Sequence, residues 1–212
     1  MIRSKECERE HLNNITVDKM SLPLGEVVRS ATTDFVAVSH QLYGSPPIGS
    51  LVKCGGTTVV YGVVGEVVTQ SLDPGRRPTA MGTEEETVES VYRNNPQLER
   101  LYATEFQSIS VGYFVDGVVN RHIAPLPPKI HDHVYLCEAD EVEDFSQSLE
   151  FLRSILSAPF GSPDDVLSSF LRTTSQIRID GESFLVDAGK FLAVLLNGQP
   201  QRLSAILKRL SL

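Results

Sequence analysis

The chain has 212 residues, 41% of them hydrophobic and 22% charged, a balance that suits one principal globular core with an appendage. Its net charge of −8 excludes a generally basic nucleic-acid surface and leaves only local basic patches to meet a phosphate backbone. Three widely spaced cysteines, Cys7, Cys54 and Cys137, exclude a disulfide framework and a Cys-x-x-Cys metal site, and point to a reducing, cytoplasmic compartment.

Residues 1–21 open with a polar, charged stretch without periodicity and read as a flexible tail with no apolar signal segment. From Leu22 the pattern turns to β-structure. Val27, Val28, Phe35, Val36 and Val38 sit in short runs broken by Ser, Thr and Gly. Turn chemistry at Gly44-Ser-Pro-Pro-Ile-Gly49 precedes Leu51–Cys54; then Gly55-Gly56 reads as a hairpin turn, since both glycines can take positive φ, leading into Thr57–Val68. A helical or irregular excursion over about 73–102 interrupts the β-pattern, with Thr83 and Glu86 spaced as a capping box. Strands resume at Phe106–Val115, turn at Asp116-Gly117, and end near His133–Cys137 after a crossover at Pro125-Leu-Pro-Pro128. Strands without alternating helices predict a mainly β fold, a small closed barrel of about six strands over residues 22–144.

Residues 145–212 read as a helical C-terminal region. Phe145, Leu149, Leu152 and Leu156 form a helical stripe, and Ser162-Pro163-Asp164-Asp165 is a helix start with first-turn proline and acids. Gln176–Val186 reads as a small hairpin around Asp180-Gly181, followed by a helix ending at Asn197-Gly198. A last helix from Pro200 carries Leu203, Ile206, Leu207 and Leu210 on one face. The longest aliphatic and aromatic run, Phe191–Leu196, is too short to cross a bilayer, so no membrane association is expected.

Four stretches, taken in order, resemble a known module: LGEVVRSATTDFVAV (Leu24–Val38), IGSLVKCGGTTVVYGVVGEVV (Ile48–Val68), VGYFVDGVV (Val111–Val119) and PLPPKIHDHVYLCEADEV (Pro125–Val142). They look like the opening Gly-x-Val strand, the glycine-containing hairpin and the closing Pro-rich turn of the HerA–ATP synthase barrel. That barrel precedes the motor domain of HerA-type DNA-translocating ATPases and opens rotary ATP synthase subunits. The chain departs from the pattern at Ile130-His131-Asp132, where the family often has glycine, and in its Leu72–Tyr102 excursion. The resemblance implies a barrel that packs beside a hexameric motor or against copies of itself; the motor's ATPase activity does not carry over to these residues.

The chemistry-bearing candidates are few. Phe184–Phe191 contains Gly189-Lys190 but has Phe184 and Phe191 where a phosphate-binding loop needs glycine and a hydroxyl, so a helix start fits better. His131, His133 and Cys137 share a strand face by alternation, but about 13 Å separates His133 from Cys137 at roughly 3.3 Å per residue. A zinc site would need His131 and His133 with His122 or a carboxylate. The carboxylates Glu138, Asp140, Glu141, Glu143 and Asp144 read as a solvated run suited to a helix start, with cation or basic-partner binding as the alternative. Local basic clusters are Arg76 with Arg77, and Arg202 with Lys208 and Arg209.

No catalytic residue and no cofactor is assigned. The expectation is a non-catalytic interaction module that docks on a protein partner such as a hexameric ATPase or self-associates. Its candidate contacts are Arg76, Arg77, Arg202, Leu203, Leu207, Lys208, Arg209 and Leu210. The alternatives are a nucleic-acid-associated accessory protein and an enzyme whose site the sequence does not reveal.

Overall fold

A computed structural model describes residues 22–73, 75, 80 and 87–210. Its strands are β1 (Gly25–Ser30), β2 (Asp34–Ser39), β3 (Leu51–Gly55), β4 (Val59–Ser71), β5 (Tyr102–Val115), β6 (Val118–Asn120) and β7 (His133–Leu136). They lie in the order β2-β1-β7-β3-β4-β5, and β2 pairs back onto β5, so six antiparallel strands close into a barrel with β6 outside it on β5. Closure leaves none of these six with two free edges.

Alternation places each side chain inside or outside the barrel. Val27, Phe35, Ala37, Val52, Cys54, Val60, Val64, Phe106 and Val134 fill the interior. The opposite parity of β3, β4 and β5 presents Leu51, Tyr61, Val63, Ile109 and Val111 to the C-terminal helices, which bury that wall. Being covered on both faces explains why the middle of β4 reads as an unbroken apolar run. Asp34 stitches the closure seam: its Oδ2 accepts from Arg29 of β1 at 2.6 Å and from Gln107 of β5 at 2.8 Å.

Both expected hairpin turns are present, with one difference. Asp116 and Gly117 take φ of 50° and 80°, as a tight β5–β6 turn requires, but in the β3–β4 turn only Gly55 is at positive φ. Between β4 and β5 lie helix α1 (Val88–Asn94) and a 3-10 turn (Pro96–Arg100). The expected cap at Thr83 and Glu86 lies outside the described residues; α1 is capped by Thr87, whose Oγ1 accepts the Ser90 amide at 3.1 Å.

The remaining helices are α2 (Ala139–Phe145), α3 (Leu152–Leu156), α4 (Pro163–Ile177), α5 (Gly181–Leu195) and α6 (Pro200–Leu210). The Phe145–Leu156 stripe is not one helix, because α2 stops at Phe145. Three of its last carbonyls are taken by arginines: Arg121 donates to Phe145 at 2.8 Å and Asp144 at 2.6 Å, and Arg178 donates to Glu143 at 3.1 Å. Nor is there a hairpin at Gln176–Val186: α4 runs to Ile177 and α5 begins at Gly181, so that Phe184, Ala188 and Leu192 are buried on one face. Among the described residues no helix is long and apolar enough to cross a membrane.

Candidate functional site

Two surfaces of the barrel stand out, one on the helix-covered wall and one opposite. The first is a cleft of about 470 Å³ between the turn ends of the β3–β4 and β5–β6 hairpins and helix α2. Its apolar floor is Val59, Phe114 and Val119. On β3, Lys53 has the outward parity of Leu51 and ion-pairs with Glu141 of α2. The other Glu141 oxygen accepts the Glu138 amide at 2.9 Å in a reciprocal cap, so this carboxylate both starts α2 and holds Lys53. Asp140 and Asp144, on the same short helix, line the cleft and form no ion pair among the described residues. Tyr61 stacks on Phe145, with ring centroids 4.9 Å apart, and also lines the cleft. Burial, helped by Cys137, Glu141 and Asp144, pushes its hydroxyl up to about 12.

The second surface is centred on β1, which stands across the barrel from β4 in the ring of strands. The crossover Pro125–Asp132 is strapped to β1: the Ser30 hydroxyl donates to the Pro128 carbonyl, the His131 amide to Val27 at 2.9 Å, and the Val27 amide to Asp132 at 3.0 Å. Here apolar side chains face solvent: Leu126 is 75% exposed, Ile130 47% and Val28 of β1 46%. Val28 sits where the β1–β2 register slips, between Val27 and Arg29, and Val27 fills the barrel interior.

The residues singled out in the sequence scatter. β7 begins only at His133, so His131 is not on its face; it lies in a turn at φ 72° and contacts Glu26. His133 packs edge-on to His40 at 5.9 Å, His122 packs on Tyr113 at 5.3 Å, and Cys137 is buried. Among the described residues no three metal-ligating side chains come together. Gly189 and Lys190 fall inside α5, where no strand precedes them and Lys190 pairs with Asp187 at 2.8 Å, so the phosphate-loop spacing has no loop to form. Arg202 forks onto Asp164 at 2.7 and 2.9 Å, and Arg209 meets Asp165 at 3.0 Å, so both cations serve the α4–α6 contact. Lys208 is exposed, Leu210 is buried, and Leu203 is half-buried on the helical core with Leu207 more exposed. Arg76 and Arg77 lie outside the described residues.

The acidic run was visible in the sequence, but neither Lys53 nor Tyr61 stood out there. The signal for both was their parity on strands with one wall turned to the helices, which the apolar run of β4 conceals. No family model and no curated protein matches the chain.

Proposed function

We propose that the chain is a non-catalytic docking module of the HerA–ATP synthase barrel type, whose β1 wall binds a protein partner such as a hexameric ATPase ring. The observation that carries this reading is the division of the barrel surface. The helices pack on the wall centred on β4, while the opposite wall leaves Val28 exposed on β1 and Leu126 and Ile130 exposed on the crossover that backbone bonds strap to it. Apolar side chains presented together on a rigid frame suit a docking surface better than a solvated one. The closed six-strand barrel, of which β1, β3 and β7 fall within the stretches that carry the resemblance, is compatible with the same reading.

The test is capture from native cells with the wild-type chain and with Val28→Glu/Ile130→Glu, together with light scattering. An ATPase retained by the wild type and released by the double variant, at an unchanged melting temperature, supports docking through this wall. A wild-type monomer that retains no ATPase, or a double variant that retains it fully, removes the proposal.

A further inference from the structure

Strand β4 outruns its neighbour on one side. β3 pairs with it only from Val59 to Val63. Val64 then bonds the loop before β3, its amide donating to Ser50 at 3.0 Å and its carbonyl accepting from Gly49 at 2.7 Å. On the other side β5 stays paired with β4 through Ser71. The Leu72 amide donates to the Leu101 carbonyl at 2.9 Å, which sets the alternation of the antiparallel ladder. Glu66, Val68 and Gln70 turn their backbone groups to β5, and Val67, Thr69 and Ser71 turn theirs away. None of these outward groups bonds another residue among those described.

This edge is open and unguarded. Val67, Val68, Thr69 and Gln70 are exposed in succession. The run Val67–Leu72 holds neither a charge nor a proline, the devices that keep a free edge from pairing. A row of alternating donors and acceptors at strand spacing is met by another extended strand.

The edge itself specifies a second copy as that strand. Antiparallel pairing about a two-fold axis at Thr69 sets Val67 against Ser71, Val68 against Gln70 and Thr69 against its own copy, so every outward amide meets an outward carbonyl. It sets Glu66 against Leu72 and brings no two charged residues opposite one another, which matters in a chain of net charge −8. Moving the axis to Val68 sets Ser71 against Gly65, whose carbonyl lies against Gly161: a Cβ there would stand 2.5 Å from that oxygen. Moving it to Gln70 sets Val67 against Asp73, past the end of β4. The axis at Thr69 therefore engages all of the outward residues.

The geometry points to a two-fold dimer in which the β4 edges of two copies pair antiparallel about Thr69 and join two β4–β5 ribbons into one sheet. The contact uses neither the β1 wall nor the partner assigned to that wall, and it stands independently of that reading.

Sedimentation velocity on the full chain from about 1 to 200 μM, the range suited to a small interface, tests this. The wild type passes from monomer to dimer, and Val28→Glu/Ile130→Glu does the same. Thr69→Pro removes an edge amide and no backbone bond to β5; it stays folded by circular dichroism, and its association weakens about tenfold or more. Cysteine cross-linking reads the register whether or not the proline variant folds. In a Cys7→Ser background, with Cys54 and Cys137 buried, Thr69→Cys oxidises to a linked dimer. Val67→Cys does not, because its own copy is displaced along the paired strand by four residues. A wild type that stays monomeric overturns the proposal. So does a dimer that survives in folded Thr69→Pro, a dimer lost in Val28→Glu/Ile130→Glu, or cross-linking of Val67→Cys as efficient as that of Thr69→Cys.

Discussion

The ring of Phe35 occupies the space that a side chain at position 62 would need: a Cβ on Gly62 would stand 2.7 Å from Phe35 Cε1. Gly62 is on the inward parity of β4 with Val60 and Val64, and Gly65 is on the outward parity, where a Cβ would stand 2.8 Å from Phe160. The register of β4 against β5 shifts at each glycine. One glycine therefore admits a phenylalanine ring of the barrel interior, and the other admits the helical layer.

Gly62→Val and Gly65→Val each overpack a closed interface, and each is expected to destabilise by about 2 kcal/mol or more. Urea denaturation measures the loss. A wild-type midpoint in either variant contradicts the assignment of these glycines to close packing.

Asp34 joins three strands through one carboxylate and is 13% exposed. Asp34→Ala leaves Gln107 without its acceptor at the seam and should cost about 1 kcal/mol, with Asp34→Asn losing less because its oxygen still accepts. If the loss is real and confined to the seam, the circular dichroism of the helices at 222 nm survives in the folded variant while the unfolding midpoint falls.

Arg178 is 11% exposed and serves four ends at once: it forks onto Asp180 at 2.7 and 2.9 Å, reaches Ser146 and the Glu143 carbonyl, and covers the Phe184 ring at 5.0 Å. Arg178→Leu should destabilise by about 1 to 2 kcal/mol, because the Glu143 carbonyl and the Ser146 hydroxyl lose their donor. The Arg178 hydrogen bond also holds the Asp180 carboxyl below its ordinary value of 3.8. A lowered folded value means a contribution that is present above 3.8 and lost as pH falls through the acid range below it. Stability measured from pH 5 downward should therefore fall more steeply in the wild type than in Arg178→Leu.

Alkali acts through Tyr61, Cys54 and Cys137. Burial raises all three above their ordinary values, Tyr61 from 10.0 to about 12. A raised folded value means stability present below the ordinary value and lost as pH climbs through the folded one, so the Tyr61 contribution disappears between pH 10 and about 12. Tyr61→Phe should flatten the stability profile in that window, as read by denaturation at fixed pH steps. The thiols of Cys54 and Cys137 should resist an exposed-thiol reagent at pH 8 until the fold is opened.

The barrel was legible because closed sheets write themselves locally. Asp116-Gly117 turns at positive φ, β-branched runs flank it, and the six pairing strands come from the stretches that read as β. The helix over Pro163–Ile177 was legible from Pro163 and the two acids behind it. Asp180-Gly181 misled, because the same dipeptide that turns a hairpin here joins two helices. The Arg178 side chain bonding Asp180 and the burial of Phe184 decide the outcome. The stripe through Phe145 and Leu152 misled for a related reason: arginines distant in sequence end α2 at its carbonyls, and no periodicity records a cap made from residue 121 or 178.

The tetrapeptide Gly-Glu-Val-Val occurs twice, at Gly25–Val28 and Gly65–Val68, and it makes the division plain. By itself the sequence determined that both copies lie in strands, since β-branched runs and the neighbouring turn residues act over a few residues of chain. Only the tertiary structure decided what the copies face: Val27 is sealed in the barrel and Val28 is open on the β1 wall, whereas Val67 and Val68 both meet solvent on the far end of β4. The cleft belongs to that second class. Lys53, Tyr61 and Asp144 lie on two strands and a helix far apart in the chain, and strand parity and helix docking alone bring them together.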